Sequence, residues 1–236
     1  MALDILYHDD DLVAIQKPSG WFVHQTDLDR YAKACMPVLR DQIGQWVYPV
    51  HRLDRGTSGV VLFALSSDIA RELGVAFSSR TVKKRYLALV RGYLPQEGHI
   101  DHAYRLPDSD KLVDAVTDFQ CLGTVELPHA VGRYDTARYS LMQAMPLTGR
   151  QHQIRRHCAH LRHPIIGDVR YGDRHHNQFF RSHFSLDRLL LMAVELGFDH
   201  PATGKRVGIN SPIPAPIHRL FQQFGWCDEE PSTFYL

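Results

Sequence analysis

Three short segments concentrate the residues whose types and spacing could do chemistry. They are His51-Arg52-Leu53-Asp54-Arg55-Gly56-Thr57-Ser58-Gly59, Lys84-Arg85-Tyr86 and Thr148-Gly149-Arg150-Gln151-His152-Gln153-Ile154-Arg155. In the first, a carboxylate sits beside two arginines in a loop of glycine and hydroxyl residues. Such a set makes a surface ion pair of little energetic weight. It also makes a reactive carboxylate, kept ionised by an arginine from another segment and able to act as nucleophile or base. The residues by themselves leave both readings open.

Histidine is the other conspicuous type, with 15 in the chain. His152, His157, Cys158, His160 and His163 cluster, and two on one helix face with a third ligand would make a zinc site. The spacing matches no common zinc pattern, since the chain has neither HExxH nor CxxC. No metal is therefore expected. GxxxxGK[ST], GxGxxG and GxSxG are also absent, so neither a nucleotide cofactor nor a serine hydrolase has motif support.

The 27 basic and 26 acidic residues nearly cancel, but their placement is uneven. Arg80, Lys83, Lys84, Arg85 and Arg91 follow one another with no acid between them, as do Arg150, Arg155, Arg156 and Arg162. Two solvated basic faces would read the same way. The arginine bias of the second stretch favours phosphate, which a guanidinium fork grips at two points.

The elements that must position these residues are legible in outline. A chain of 236 residues, 44% hydrophobic and 22% charged, is globular rather than disordered. No apolar run approaches the roughly 18–20 residues of a membrane span, and acids stand where a secretory signal carries basic residues. Cys35, Cys121, Cys158 and Cys227 are scattered like reduced thiols, so a cytoplasmic protein is expected. Two extended runs, 3–7 and 12–16, flank the turn at 8–11 as a hairpin. Strands are expected at 47–53, 59–65, 86–90, 116–127, 139–145, 189–198 and 206–209. Helices are expected at 32–46, 68–77 (capped by Ser66 or Ser67), 151–161 and 217–224. The mixture lacks strict βαβ alternation, which points to an α+β fold on a largely antiparallel sheet flanked by helices and loops. No linker divides residues 1–236, so one catalytic domain is expected.

HRLDRGTSG at 51–59 resembles the HRLDxxTSG signature of the RluA-type pseudouridine synthases. Further motifs follow in that family's order: Lys17-Pro18-Ser19-Gly20 with His24, then Lys84 through Gly92, and then Thr148-Gly149-Arg150 through Arg155. His163-Pro164-Ile165-Ile166-Gly167-Asp168 and His200-Pro201-Ala202-Thr203-Gly204 complete the set. The resemblance runs over residues 3–212 and is nearest to members acting on tRNA, with Gly132-Arg133-Tyr134 and Gln223-Phe224-Gly225-Trp226 in support. One departure is Met192, where the family usually has histidine. Like the nearest members, the chain is expected to lack an N-terminal S4 domain.

The resemblance implies a pseudouridine synthase fold and isomerisation of a tRNA uridine, uridine 65, to pseudouridine, with no cofactor. Asp54 would be the catalytic carboxylate, either attacking C1′ or removing the 2′ proton. Arg155 would pair with Asp54 and hold it ionised, and Tyr86 would stack on the uracil. A stacked uridine must be extruded, and Arg52 would fill its place. Lys83, Lys84, Arg85, Arg150 and Arg156 would contact the RNA backbone. The expected partner is tRNA, with no membrane and with a monomer as the working state. The rivals are an rRNA-directed synthase of the same family and a non-catalytic RNA-binding module. Asp54, Tyr86 and Arg155 are all present, which argues against the latter.

Overall fold

The opening hairpin forms because Asp9 closes its turn. One carboxylate oxygen accepts the backbone N–H groups of Asp11 and Leu12, at 3.0 and 2.8 Å. The computed structural model describes residues 2–25, 32–106 and 111–227. Its strands are β1 (Ile5–His8), β2 (Leu12–Lys17), β3 (Tyr48–Pro49), β4 (Ser58–Ala64), β5 (Lys83–Arg91), β6 (Glu97–Asp101), β7 (Tyr104–Arg105), β8 (Leu112–Val113), β9 (Val116–Leu127), β10 (Ala137–Pro146), β11 (Leu191–Asp199) and β12 (Arg206–Asn210). Its helices are α1 (Cys35–Ile43), α2 (Ser67–Ser78), α3 (Gln153–His160), α4 (Arg174–Phe184) and α5 (Ala215–Gln223). The class is α+β, as the sequence pattern leads one to expect. The chain forms two compact units, one of residues 1–84 and 193–211, the other of 85–192 and 212–236.

In the first unit, β2 pairs antiparallel with β1 on one side and β4 on the other. The β2–β4 ladder ends at Lys17 opposite Gly59, which brings the loop after β2 beside the loop before β4. Every residue of β4 is buried, as a strand covered on both faces requires. Ser66 caps α2 by accepting the Ile69 N–H. Ile69 and Leu73, four residues apart on one helix face, pack with Leu12, Val60, Leu62 and Phe198. Phe198 comes from β11, whose antiparallel partner is β12.

In the second unit, β10 pairs antiparallel with β5 and β9, and β9 pairs with β6. Their shared core contains Ala88, Val90, Met142, Ala144 and Leu191, and α3 adds Ile154 and Cys158 to it. Docking α3 through these two residues fixes its neighbours Arg155 and Arg156.

Three expectations need correction. The run 47–53 is a strand only at Tyr48–Pro49. Pro49 lacks an N–H for the ladder, and His51 turns inward to accept the Leu62 N–H at 3.0 Å. Helix α1 is shorter than 32–46 because Gly44, with φ of 68°, ends it in the left-handed region. Helix α4 was not foreseen. Its polar, histidine-rich sequence hides the apolar stripe, although Asp173 caps it by accepting the His175 N–H at 2.9 Å.

Candidate functional site

Asp54 lies half-buried in the loop before β4, and its carbonyl accepts the Thr57 N–H at 3.1 Å to close a four-residue turn. The loop is held through its backbone. Lys17, 0% exposed, donates from Nζ to the carbonyls of Pro18, Trp21 and Arg55 at 3.0, 2.6 and 3.1 Å. Ser19 Oγ donates to the Gly56 carbonyl at 2.7 Å, and the Gly20 N–H to that of Arg55 at 2.8 Å. A buried ammonium is costly unless its donors are matched, and here carbonyl dipoles match them. The Lys-Pro-Ser-Gly segment is thus the clamp on the two residues that follow Asp54.

Further on, Gly59 is required by space. A Cβ there would stand 2.0 Å from the Ala193 carbonyl oxygen, and φ is 116°. His51 stacks on Phe77 with ring centroids 4.9 Å apart. Burial, with repulsion from Lys84 added, pushes its pKa down to about 3, so it is a neutral acceptor that ties the loop to β4. Arg52 is exposed in the same loop.

On β5, Lys83 is exposed while Lys84, Arg85 and Tyr86 are half-buried. Burial, and then the charge of Arg80, lowers the pKa of Lys84. Tyr86 packs at the edge of the second unit's core and pairs in register with Ala144 of β10.

The segment 148–155 is organised by Gln153, which is buried. Its carbonyl oxygen accepts from Thr148 Oγ1 at 2.6 Å and from the Arg150 N–H at 3.0 Å. Its amide donates to the Val116 carbonyl and to Thr117 Oγ1, both at 2.9 Å. Arg150 itself is exposed, with Nε on the Asp114 carbonyl. Arg155 is buried and makes a two-point pair with Asp168, Nε to Oδ2 at 2.7 Å and Nη2 to Oδ1 at 2.9 Å. Arg156 packs over two rings, 4.6 Å from the centroid of Tyr104 and 5.3 Å from that of Tyr171.

Asp168 and Lys17 are the functional candidates that pattern reading missed as roles. Both lay inside quoted motifs, but their partners stand 13 and up to 38 residues away. Burial alone would push the Asp168 carboxyl up. The hydrogen bonds and charge of Arg155, with the Tyr171 and Arg170 N–H groups, more than offset that and hold it below its ordinary value.

The histidine cluster is engaged otherwise. His157 Nε2 donates to the His102 carbonyl at 3.3 Å, and its Nδ1 lies 2.9 Å from Thr117 Oγ1. Burial pushes the His157 pKa down to about 4. Among the described residues, no group of three His, Cys, Asp or Glu side chains could hold a metal ion. Nor, among them, is any helix long and apolar enough to cross a membrane.

Comparison with known proteins places these residues in context. Residues 11–160 match the family model described as RNA pseudouridylate synthase. The chain is 50% identical over 236 residues to tRNA pseudouridine synthase C of Pectobacterium carotovorum subsp. carotovorum, covering 95% of this chain and 62% of that protein. It therefore spans less than two thirds of that relative. It is 46% identical over 241 residues to the protein of the same name from Yersinia pestis, covering 97% of this chain and 93% of that one. Among solved structures, Human RNA Pseudouridylate Synthase Domain Containing 4 is similar with a TM-score of 0.69 and 25% identity, over 92% of each chain.

Proposed function

The chain belongs to the RNA pseudouridylate synthase family, and from that premise we propose that it isomerises one uridine of tRNA, uridine 65, to pseudouridine. The observation that carries this reading is identity of 46–50% across nearly the whole chain to proteins named tRNA pseudouridine synthase C.

In this reading the N1–C1′ bond breaks, the uracil turns over, C5 bonds to C1′, the C5 proton leaves and N1 takes up a proton. The product is an isomer of the substrate, so the balance needs no oxidant, nucleotide or metal. Asp54 starts the reaction by attacking C1′ or by taking the 2′ proton. Arg155 pairs with Asp54 and keeps it ionised, and Tyr86 stacks on the uracil. Extrusion of the uridine from its helix precedes the chemistry, with Arg52 filling the gap. Lys83, Lys84, Arg85, Arg150 and Arg156 hold the backbone phosphates. The working unit is a cytoplasmic monomer in which the two compact units act as one catalytic domain.

The test is to incubate the protein with tRNA transcripts, with the same transcripts carrying cytidine in place of uridine 65, and with rRNA transcripts. Pseudouridine at that position alone is expected. Product confined to rRNA, or none in any RNA, would overturn the reading.

A further inference from the structure

Buried ion pairs contribute little net stability relative to apolar packing, so the two-point contact of Arg155 with Asp168 calls for another reason. The turn that carries Asp168 is itself braced. Its Oδ1 accepts the N–H groups of Arg170 and Tyr171 at 2.9 and 3.0 Å. Its carbonyl accepts Asn177 Nδ2 at 2.9 Å, while Asn177 Oδ1 accepts the Gly167 N–H at 2.7 Å. Both flanking glycines are forced by backbone contact. A Cβ on Gly167 would stand 1.8 Å from the Arg188 carbonyl oxygen, and one on Gly172 would stand 2.0 Å from that of Asp168. The Tyr171 ring then lies 5.2 Å from the Arg155 guanidinium carbon. A flexible arginine has been given one orientation, with its Nε–Nη2 edge spent on Asp168 and Nη1 turned to the other side.

We propose that Asp168 is a positioning residue, which fixes the guanidinium of Arg155 in the orientation the reaction uses. This rests on the role given to Arg155 in the reading above. Orientation matters to rate because displacement of a reacting partner by about 1 Å costs on the order of 100-fold.

The test is a double-mutant cycle read as single-turnover rate at saturating tRNA. Asp168→Asn is expected to lose about 100-fold in rate with an unchanged Kd for tRNA. In an Arg155→Ala background the same substitution should cost nothing further, because it acts only through Arg155. Equal fractional losses in both backgrounds, or a full rate in Asp168→Asn, would overturn the proposal. Asp187→Asn, which removes an exposed partner of Arg181, should keep the wild-type rate. Should Asp168→Asn fail to fold, Asn177→Ala loosens the same turn and is expected to lower the rate only when Arg155 is present. A second readout needs no activity: the Arg155 Nε–H proton should exchange slowly in the wild type and rapidly in Asp168→Asn. If the wild type leaves tRNA unmodified, the reading of function falls, while unchanged Nε–H exchange in Asp168→Asn overturns the positioning role.

Discussion

Around Asp54 the fixing is done by a cation on backbone oxygens, whereas around Arg155 it is done by an anion on side-chain nitrogens. Lys17 holds the two loops together through the carbonyls of Pro18, Trp21 and Arg55. In the second unit the Arg155 guanidinium itself is locked, by Asp168 and over Tyr171. On the roles proposed above, the difference teaches that the loop of Asp54 is held by backbone contacts that a change of its side chain does not itself remove, whereas at Arg155 the side chain is itself the contact. Substituting the first side chain leaves its clamp whole, while substituting the second leaves a buried carboxylate without its counter-charge.

Arg155→Ala sharpens that contrast most. It should destabilise the protein by about 3–5 kcal/mol, as breaking a buried pair does, and denaturant unfolding measures it. Arg155→Lys keeps the charge without the planar fork, so it should fall between wild type and alanine in both stability and rate. The pair also has an acid limit. The folded pKa of Asp168 lies below its ordinary value, so its contribution is complete above about pH 4 and is lost as pH falls through the lower folded value. A pH series of unfolding curves should therefore show a flatter acid limb in Asp168→Asn than in the wild type. An unchanged limb would break the comparison.

Lys17→Met should cost less, about 1–3 kcal/mol, since it leaves buried carbonyls without a donor. Its single-turnover rate should fall because the loop after Asp54 loosens, with the Kd for tRNA unchanged. A normal rate would detach the Lys-Pro-Ser-Gly clamp from the chemistry. Tyr86→Phe is expected to have the smallest effect on stability, about 1 kcal/mol or less. The proposed stacking ring remains, so tRNA is expected to bind normally while the rate drops; a full rate would show that the hydroxyl has no part in the reaction. Quench-flow separation of bound and converted RNA distinguishes the two.

How much of this was legible in the sequence follows the same divide. The hairpin, β4, β9 and α2 read directly, because hydrophobic spacing and caps such as Ser66 are local signals. Asp54, Tyr86 and Arg155 were singled out by residue type and motif. The partners that hold Arg155 and the Asp54 loop were not, because a lysine finding a carbonyl 38 residues away leaves no periodic trace. The charge of Arg156 makes it a candidate phosphate contact, and its packing over Tyr104 and Tyr171 is a further feature that no periodic pattern announces. Helix α4 was missed for a related reason: its buried residues His176 and Phe180 are too few among polar neighbours to form a visible stripe.

Asp54→Asn shows whether the chemistry resides on the Asp54 carboxylate. The carboxamide is nearly isosteric but neither attacks C1′ nor accepts the 2′ proton. Single-turnover assay on tRNA transcripts, alongside unfolding and tRNA-binding curves, should show loss of about 10²–10⁴-fold or more in rate, with wild-type stability and Kd. Retention of more than about a tenth of the rate, a loss far below that range, would contradict the account.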